Sequence, residues 1–138
     1  MRKLFMTISL AFVTSFTTKA QASHPATQTD TIVRYLITSS ATDFNNHRPP
    51  NPVGFRKVKL GHIKSADGGK QYLISGEFLT KEDKKEVWIP FITIKTSGYE
   101  QWIGTQAKTL IKSGSIFDDK KEDLSAALQS QLADLHKN

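Results

Sequence analysis

The sequence predicts an α+β domain: an antiparallel sheet of three to four strands, a meander, packed by an N-terminal and a C-terminal helix. Two observations carry this expectation. Apolar residues recur at spacings of three and four over Ile32–Ala41 and again over Leu124–Leu135, the period of a helix with one buried face. Between those stretches they alternate with polar residues in runs separated by turn signals, the period of strands. The chain has no cysteine, so no disulfide holds the fold and the core must come from apolar burial.

The first residues form a separate unit. Arg2 and Lys3 precede the thirteen-residue apolar run Leu4–Phe16, and Ala20-Gln21-Ala22 supplies a small-x-small pattern. This is the layout of a secretory signal peptide over residues 1–22, cleaved near Ala22. The run is shorter than the ~20 residues needed to cross the hydrocarbon of a bilayer. The expectation is an exported protein, periplasmic or secreted, with no integral membrane anchor in its mature form. Residues 23–29 read as a polar, flexible leader, and 30–138 as a single α+β domain.

Within that domain, Asp30 is placed to cap a helix carrying Ile32, Val33, Leu36, Ile37 and Ala41 and ending near Phe44. Asn45 to Gly54 holds three prolines and breaks regular structure. Phe55 to Ile63 alternates, with Val58 and Leu60 on one face. Ser65 to Gly69 is a turn, because Asp-Gly and Gly-Gly accept positive φ. Gln71 to Leu79 is a second strand with Tyr72, Ile74, Gly76 and Phe78 on one face. Thr80 to Lys85 reads as a charged turn. Glu86 to Thr96 is a third strand, rich in β-branched and aromatic residues. Pro90 inside it cannot donate to a ladder, which implies an edge position or a bulge. Residues 99–115 fit a strand, a helix or a loop. Asp118 or Asp119 is placed to cap a last helix running to about His136, its stripe Leu124, Ala127, Leu128, Gln131, Leu132 and Leu135.

Charge excludes one class of partner. The chain of 138 residues carries a formal charge of +6, but Arg2, Lys3 and Lys19 leave with the signal, which reduces the excess to +3. The densest charge run, Lys81 to Glu86, mixes both signs, whereas a nucleic-acid footprint needs a one-sided basic face.

The order helix, proline-rich break, meander, together with Pro50, Phe55 and the segments Ile74-Ser75-Gly76-Glu77-Phe78 and Trp88-Ile89-Pro90-Phe91-Ile92, resembles small exported cystatin-like or NTF2-like α+β proteins. Proline stands at Pro49 and Pro52, where that pattern has an acidic residue and a serine. The resemblance spans residues 30 to 96. It implies a helix packed on a curved antiparallel sheet and carries over no catalytic residue.

No catalytic residue, metal site or cofactor is read from the sequence. There is no nucleophile elbow, glycine-rich phosphate loop or dinucleotide fingerprint. His24, His47, His62 and His136 lack ligand spacing. Asp118 and Asp119 are adjacent, and adjacent residues do not face each other on a helix. The residues singled out for binding are Trp88, Tyr99 and Trp102, since exposed Tyr and Trp are common contact anchors. The expected function is a non-enzymatic interaction module for a protein or peptide partner. Two alternatives stand beside it: a small NTF2-like pocket enzyme using Glu77 with Tyr72 or His62, and a structural homodimer through the last helix.

Overall fold

The computed structural model describes residues 27–47, 52, 54–117 and 122–137. Its centre is an open, five-stranded antiparallel sheet. Strands β1 (Gly54–Lys64), β2 (Lys70–Glu82), β3 (Lys85–Lys95) and β4 (Tyr99–Ile103) form the meander. A short β5 (Ile116–Phe117) pairs with the other side of β1, giving the order β4-β3-β2-β1-β5. Three helices flank it: α1 (Gln28–His47), α2 (Thr105–Lys112) and α3 (Ser125–His136). The α+β class stands as expected, but the sheet has five strands rather than three to four, and a third helix is present.

The hairpin turns follow local chemistry. Between β1 and β2, Asp67 accepts hydrogen bonds from the Ser65 hydroxyl and from the Gly69 N–H, while Gly68 takes φ 85°. Between β2 and β3, Asp83 and Lys84 take φ 49° and 66°, the mirror-image turn whose twist matches that of the flanking strands. The turn is therefore two residues long. Thr80, Lys81 and Glu82, expected in the turn, belong to β2 and pair with Val87, Glu86 and Lys85.

Pro90 sits in β3 with no bulge beside it, since the β2–β3 register runs unbroken from Leu73↔Ile94 to Glu82↔Lys85. β4 ends at Ile103, opposite Phe91. Only the Gly104 N–H reaches Pro90, donating to its carbonyl over 2.9 Å. The ladder stops where the proline has no N–H to return, and among the described residues β3 is an edge from Pro90 back to Lys85.

The bulge lies in β1 instead. Between Arg56↔Glu77 and Lys59↔Ser75, Lys57 and Val58 together oppose Gly76. Lys57 takes φ 54°. The extra residue turns the Val58 backbone outward, where its carbonyl accepts from the Leu124 N–H (2.8 Å) and its N–H donates to Ser125 Oγ (3.1 Å). The bulge thus docks the start of α3. Gly76 makes room for it: a Cβ there would lie 2.7 Å from Val58 Cγ2 and 3.0 Å from Val58 Cα.

Both faces of the sheet are covered, each by its own core. On one face, Leu36, Ile37, Ala41 and Phe44 of α1 and Leu128 and Leu132 of α3 pack on Val58, Leu60, Ile74, Phe78 and Phe91. Phe44 is fully buried and meets the rings of Phe55, Phe78 and Phe91 edge-on at 4.9–5.2 Å. On the opposite face, Leu73, Ile92 and Ile94 pack under Ala107 of α2, with Ile63, Trp102, Leu110, Ile111 and Phe117 around them. The expected N-terminal and C-terminal helices, α1 and α3, share one face; α2 covers the other.

Helix ends also differ from the expectation. Thr27 caps α1, since its hydroxyl accepts from the Asp30 N–H (3.1 Å) and the Asp30 carboxylate accepts from the Thr27 N–H (3.0 Å). Asp30 is the return partner three residues on, not the cap, and the helix takes in the last residues read as leader. It also runs past Phe44 to His47. α3 begins at Ser125, with Asp123 accepting from the Ser125 N–H at 2.8 Å; Asp118 and Asp119 lie outside the described residues. Residues 1–22, expected to be a signal peptide, also lie outside them. No described helix is long and apolar enough to cross a membrane.

Candidate functional site

The two sides of the sheet end differently. The β1 side is closed by β5 and by the α3 contacts to Val58. On the other side, no described strand lies beyond β4. The Thr96 N–H donates to Gly98 O (3.0 Å) and the Gly104 N–H to Pro90 O. These two bonds set the register: Ile94 with Glu100 and Ile92 with Trp102 are the hydrogen-bonded pairs between β3 and β4. The backbone N–H and C=O groups of Tyr99, Gln101 and Ile103 therefore point outward along the free edge.

Side chains beside this edge make two different flanks. Tyr99, Gln101 and Ile103 lean toward the α1 face. The Tyr99 hydroxyl donates to Asp43 Oδ1 at 3.4 Å, and Asp43 also faces His47 Nδ1 at 3.4 Å. Burial, and then the neighbouring Asp43 charge, push the Tyr99 phenol above its ordinary pKa. The Gln101 carboxamide oxygen accepts from the Thr93 hydroxyl, which is fully buried. On the other flank, Trp102 forms one wall of a shallow depression of about 230 Å³ whose far wall is α2, through Thr105, Thr109 and Leu110. The Trp102 indole N–H donates to Glu100 Oε2 at 3.2 Å.

The sequence-predicted aromatics do not form one patch. The segment from Tyr99 to Trp102, for which strand, helix and loop all fit the sequence, is strand, and the three-residue spacing sends Tyr99 and Trp102 to opposite faces. Trp88 shares the face of Trp102 but lies beyond the end of β4, at the end of the sheet that α2 leaves open. There the Arg56 guanidinium stacks 4.1 Å from its ring centroid.

No family model, curated protein or solved structure matches the chain.

Strand parity separates the groups named for the enzyme alternative. Tyr72 and His62 lie on the face carrying α1, their rings 6.3 Å apart. Glu77 lies on the opposite face, 2.6 Å from Arg56 Nε and 3.9 Å from Lys57 Nζ. Glu77 is therefore held in a cross-strand ion pair, its main partner an arginine. His47 and Asp43 form an i, i+4 pair that the sequence reading misses because it ends the helix too early. Among the described residues no group of three or more His, Asp or Glu converges. Leu128 and Leu132, the centre of the proposed dimer stripe, are buried in the chain's own core.

Gln101, Ile103 and Leu110 are absent from the sequence reading. One signal pointed to the edge: Pro90 limits how far any strand beyond β3 can pair.

Proposed function

We propose that the protein is an exported, non-enzymatic interaction module that binds an extended peptide segment by strand addition to β4. The outward backbone of Tyr99, Gln101 and Ile103 supports this reading. Three alternate residues offer a row of donors and acceptors to a fourth neighbour of the meander, the main-chain part of such recognition. The depression between Trp102 and α2 flanks that row and would take one apolar side chain of the added strand. Trp88, Tyr99 and Trp102 keep the binding role assigned from sequence, now distributed along one border: Tyr99 and Trp102 on either side of β4, Trp88 where β3 becomes the edge. A helix laid across an antiparallel meander supports the cystatin-like or NTF2-like resemblance, which we retain as part of the proposal.

The test is selection of short peptides from a displayed library against the purified protein, followed by amide hydrogen exchange. Selected peptides are expected to slow exchange at Tyr99, Gln101 and Ile103. Gln101→Pro deletes an outward N–H and no ladder bond, but also the acceptor of the Thr93 hydroxyl. It is expected to abolish their binding while the fold persists, whereas Gln101→Ala, which loses the Thr93 bond alone, is expected to keep it. A library that yields no binder, or binders that protect α3 instead and are indifferent to Gln101→Pro, would overturn the reading.

A further inference from the structure

A large cavity lies at the end of the sheet beside the turn that leads into β4. It is a groove of about 810 Å³ running under the first turns of α1, between the β1–β2 turn and the β3–β4 turn. That volume falls within the ~300–1,000 Å³ typical of small-ligand sites. Its charge is one-sided. Lys70 and Lys95 line it, and no carboxylate among the described residues does.

The nearby acids are committed elsewhere. Asp67 is folded into its own turn by Ser65 and Gly69, and these hydrogen bonds hold its carboxyl below the ordinary range. Asp30 lines a different cavity, with Val33 and Leu60. Lys64 pairs directly opposite Lys70 across the β1–β2 ladder, an arrangement of like charges that disfavours the free fold. Among the described residues, none of Lys64, Lys70 and Lys95 forms an ion pair. The Lys95 ammonium lies 5.3 Å from the Tyr35 ring centroid, so it is held on the α1 side of the sheet.

The rest of the groove is suited to a polyol. Ser97 and Tyr72 supply hydroxyls, which both donate and accept; Thr31 already donates to Thr27 O and keeps its acceptor side, and Thr96 already accepts from the Gly98 N–H and keeps its donor. The Gln71 amide N–H is occupied by Lys95 O (3.1 Å), leaving its oxygen to accept. The Tyr72 ring and Ile32 give the groove an apolar surface of the kind a sugar ring's C–H face packs on.

We propose that this groove binds an acidic oligosaccharide, a chain of uronate sugars, with a carboxylate between Lys70 and Lys95 and a ring face on Tyr72. The proposal is independent of strand addition at β4, because the groove lies under α1 and uses none of the outward backbone groups of Tyr99, Gln101 and Ile103.

The experiment is an NMR titration of the isotope-labelled protein with trigalacturonate, with neutral galactotriose and with inorganic phosphate. Trigalacturonate is expected to shift the amides of Lys70, Gln71 and Lys95 to Ser97 saturably, and galactotriose to bind roughly tenfold or more weakly, the scale of one charge-assisted hydrogen bond. Lys70→Gln with Lys95→Gln is expected to cause a loss of similar size, and added salt a progressive one. Tyr72→Ala should weaken the sugar without restoring galactotriose. Equal response to the neutral sugar would remove the role of the lysines and overturn the proposal. Saturation by phosphate alone would make the groove a simple anion site, which also overturns it. So would the absence of any shift in this region.

Discussion

Gly76→Ala tests the link between the β1 bulge and the docking of α3. Gly76 has an ordinary strand conformation, so alanine meets no backbone penalty there. The obstacle is space. The new Cβ would sit 2.7 Å from Val58 Cγ2, 3.0 Å from Val58 Cα and 3.1 Å from Arg56 O. Two of these three are backbone atoms of the bulge, which cannot rotate away as a side chain end can. Overpacking of this kind costs about 1–3 kcal/mol, and the stiffer unfolded chain returns ~0.4–1, leaving a net loss of about 1–2 kcal/mol. With a urea slope of ~1–3 kcal/mol/M, the unfolding midpoint should fall by roughly 0.3–2 M. Val58→Ala removes the Cγ2 contact but not the other two. In the double variant the two losses should therefore sum to less than additivity requires, by ~0.5 kcal/mol or more. A Gly76→Ala variant as stable as the parent, or strictly additive losses, would refute the reasoning.

Leu132→Ala should cost ~2–5 kcal/mol, because Leu132 is buried between α3, α1 and the sheet. The loss should not depend on protein concentration; a concentration-dependent midpoint would place the leucine in a seam between copies. Thr27→Ala should cost ~0.5–2 kcal/mol through loss of the α1 cap, with Thr27→Asn close to neutral, both read from denaturation curves. The Tyr99 phenol should titrate above its ordinary value of 10.0 when followed by ultraviolet absorbance. Its stabilisation is complete below that value and is lost as pH rises through the folded-state pKa. Asp43→Asn should bring the midpoint down only partway, since burial is the larger cause. A midpoint at the ordinary value in the parent would overturn that assignment.

Regular elements were legible where one physical signal dominated. The alternation of Tyr72, Ile74, Gly76 and Phe78 placed one face of β2 correctly because only the buried-face period fits it. The signal failed where two requirements overlapped. Val87 to Ile94 is apolar almost without interruption, the mark of a strand buried on both faces. That implied a second covering layer, yet α2 is only eight residues long and polar on most of its surface, too short for its period to stand out. The β2–β3 turn was overextended because charged residues occupy both the turn and the exposed strand ends leading to it. The α1 cap was misplaced by three residues because Thr27 and Asp30 are both capping types, and only the reciprocal bonds decide between them. The aromatics of the candidate site were legible as residues but not as a surface. Whether two aromatics share a face depends on whether their segment is strand or turn, and 99–115 was left open.

The end of the α2 face that no described helix covers poses a last problem of its own, because sheet surface without a covering layer normally invites association. Here Arg56 crosses it, bound to Glu77 and stacked on Trp88, with the Arg56 side chain 42 % exposed and that of Glu77 28 %. The arginine stem covers apolar surface while its charge stays wet, so packing should matter more than the ion pair. Glu77→Ala removes a partly exposed pair worth ~0.2–1 kcal/mol. Arg56→Ala removes that pair together with a stack worth ~0.5–1 kcal/mol, so it should be the more costly of the two. Arg56→Lys keeps the charge but not the planar guanidinium, and should fall between them. In a Trp102→Phe background, where Trp88 is the remaining tryptophan, Arg56→Ala should shift the emission to the red and Glu77→Ala should leave it nearly unchanged. If Glu77→Ala proved the more damaging, Arg56 would be serving the carboxylate rather than covering the sheet, and Glu77 would return as a functional group on that face.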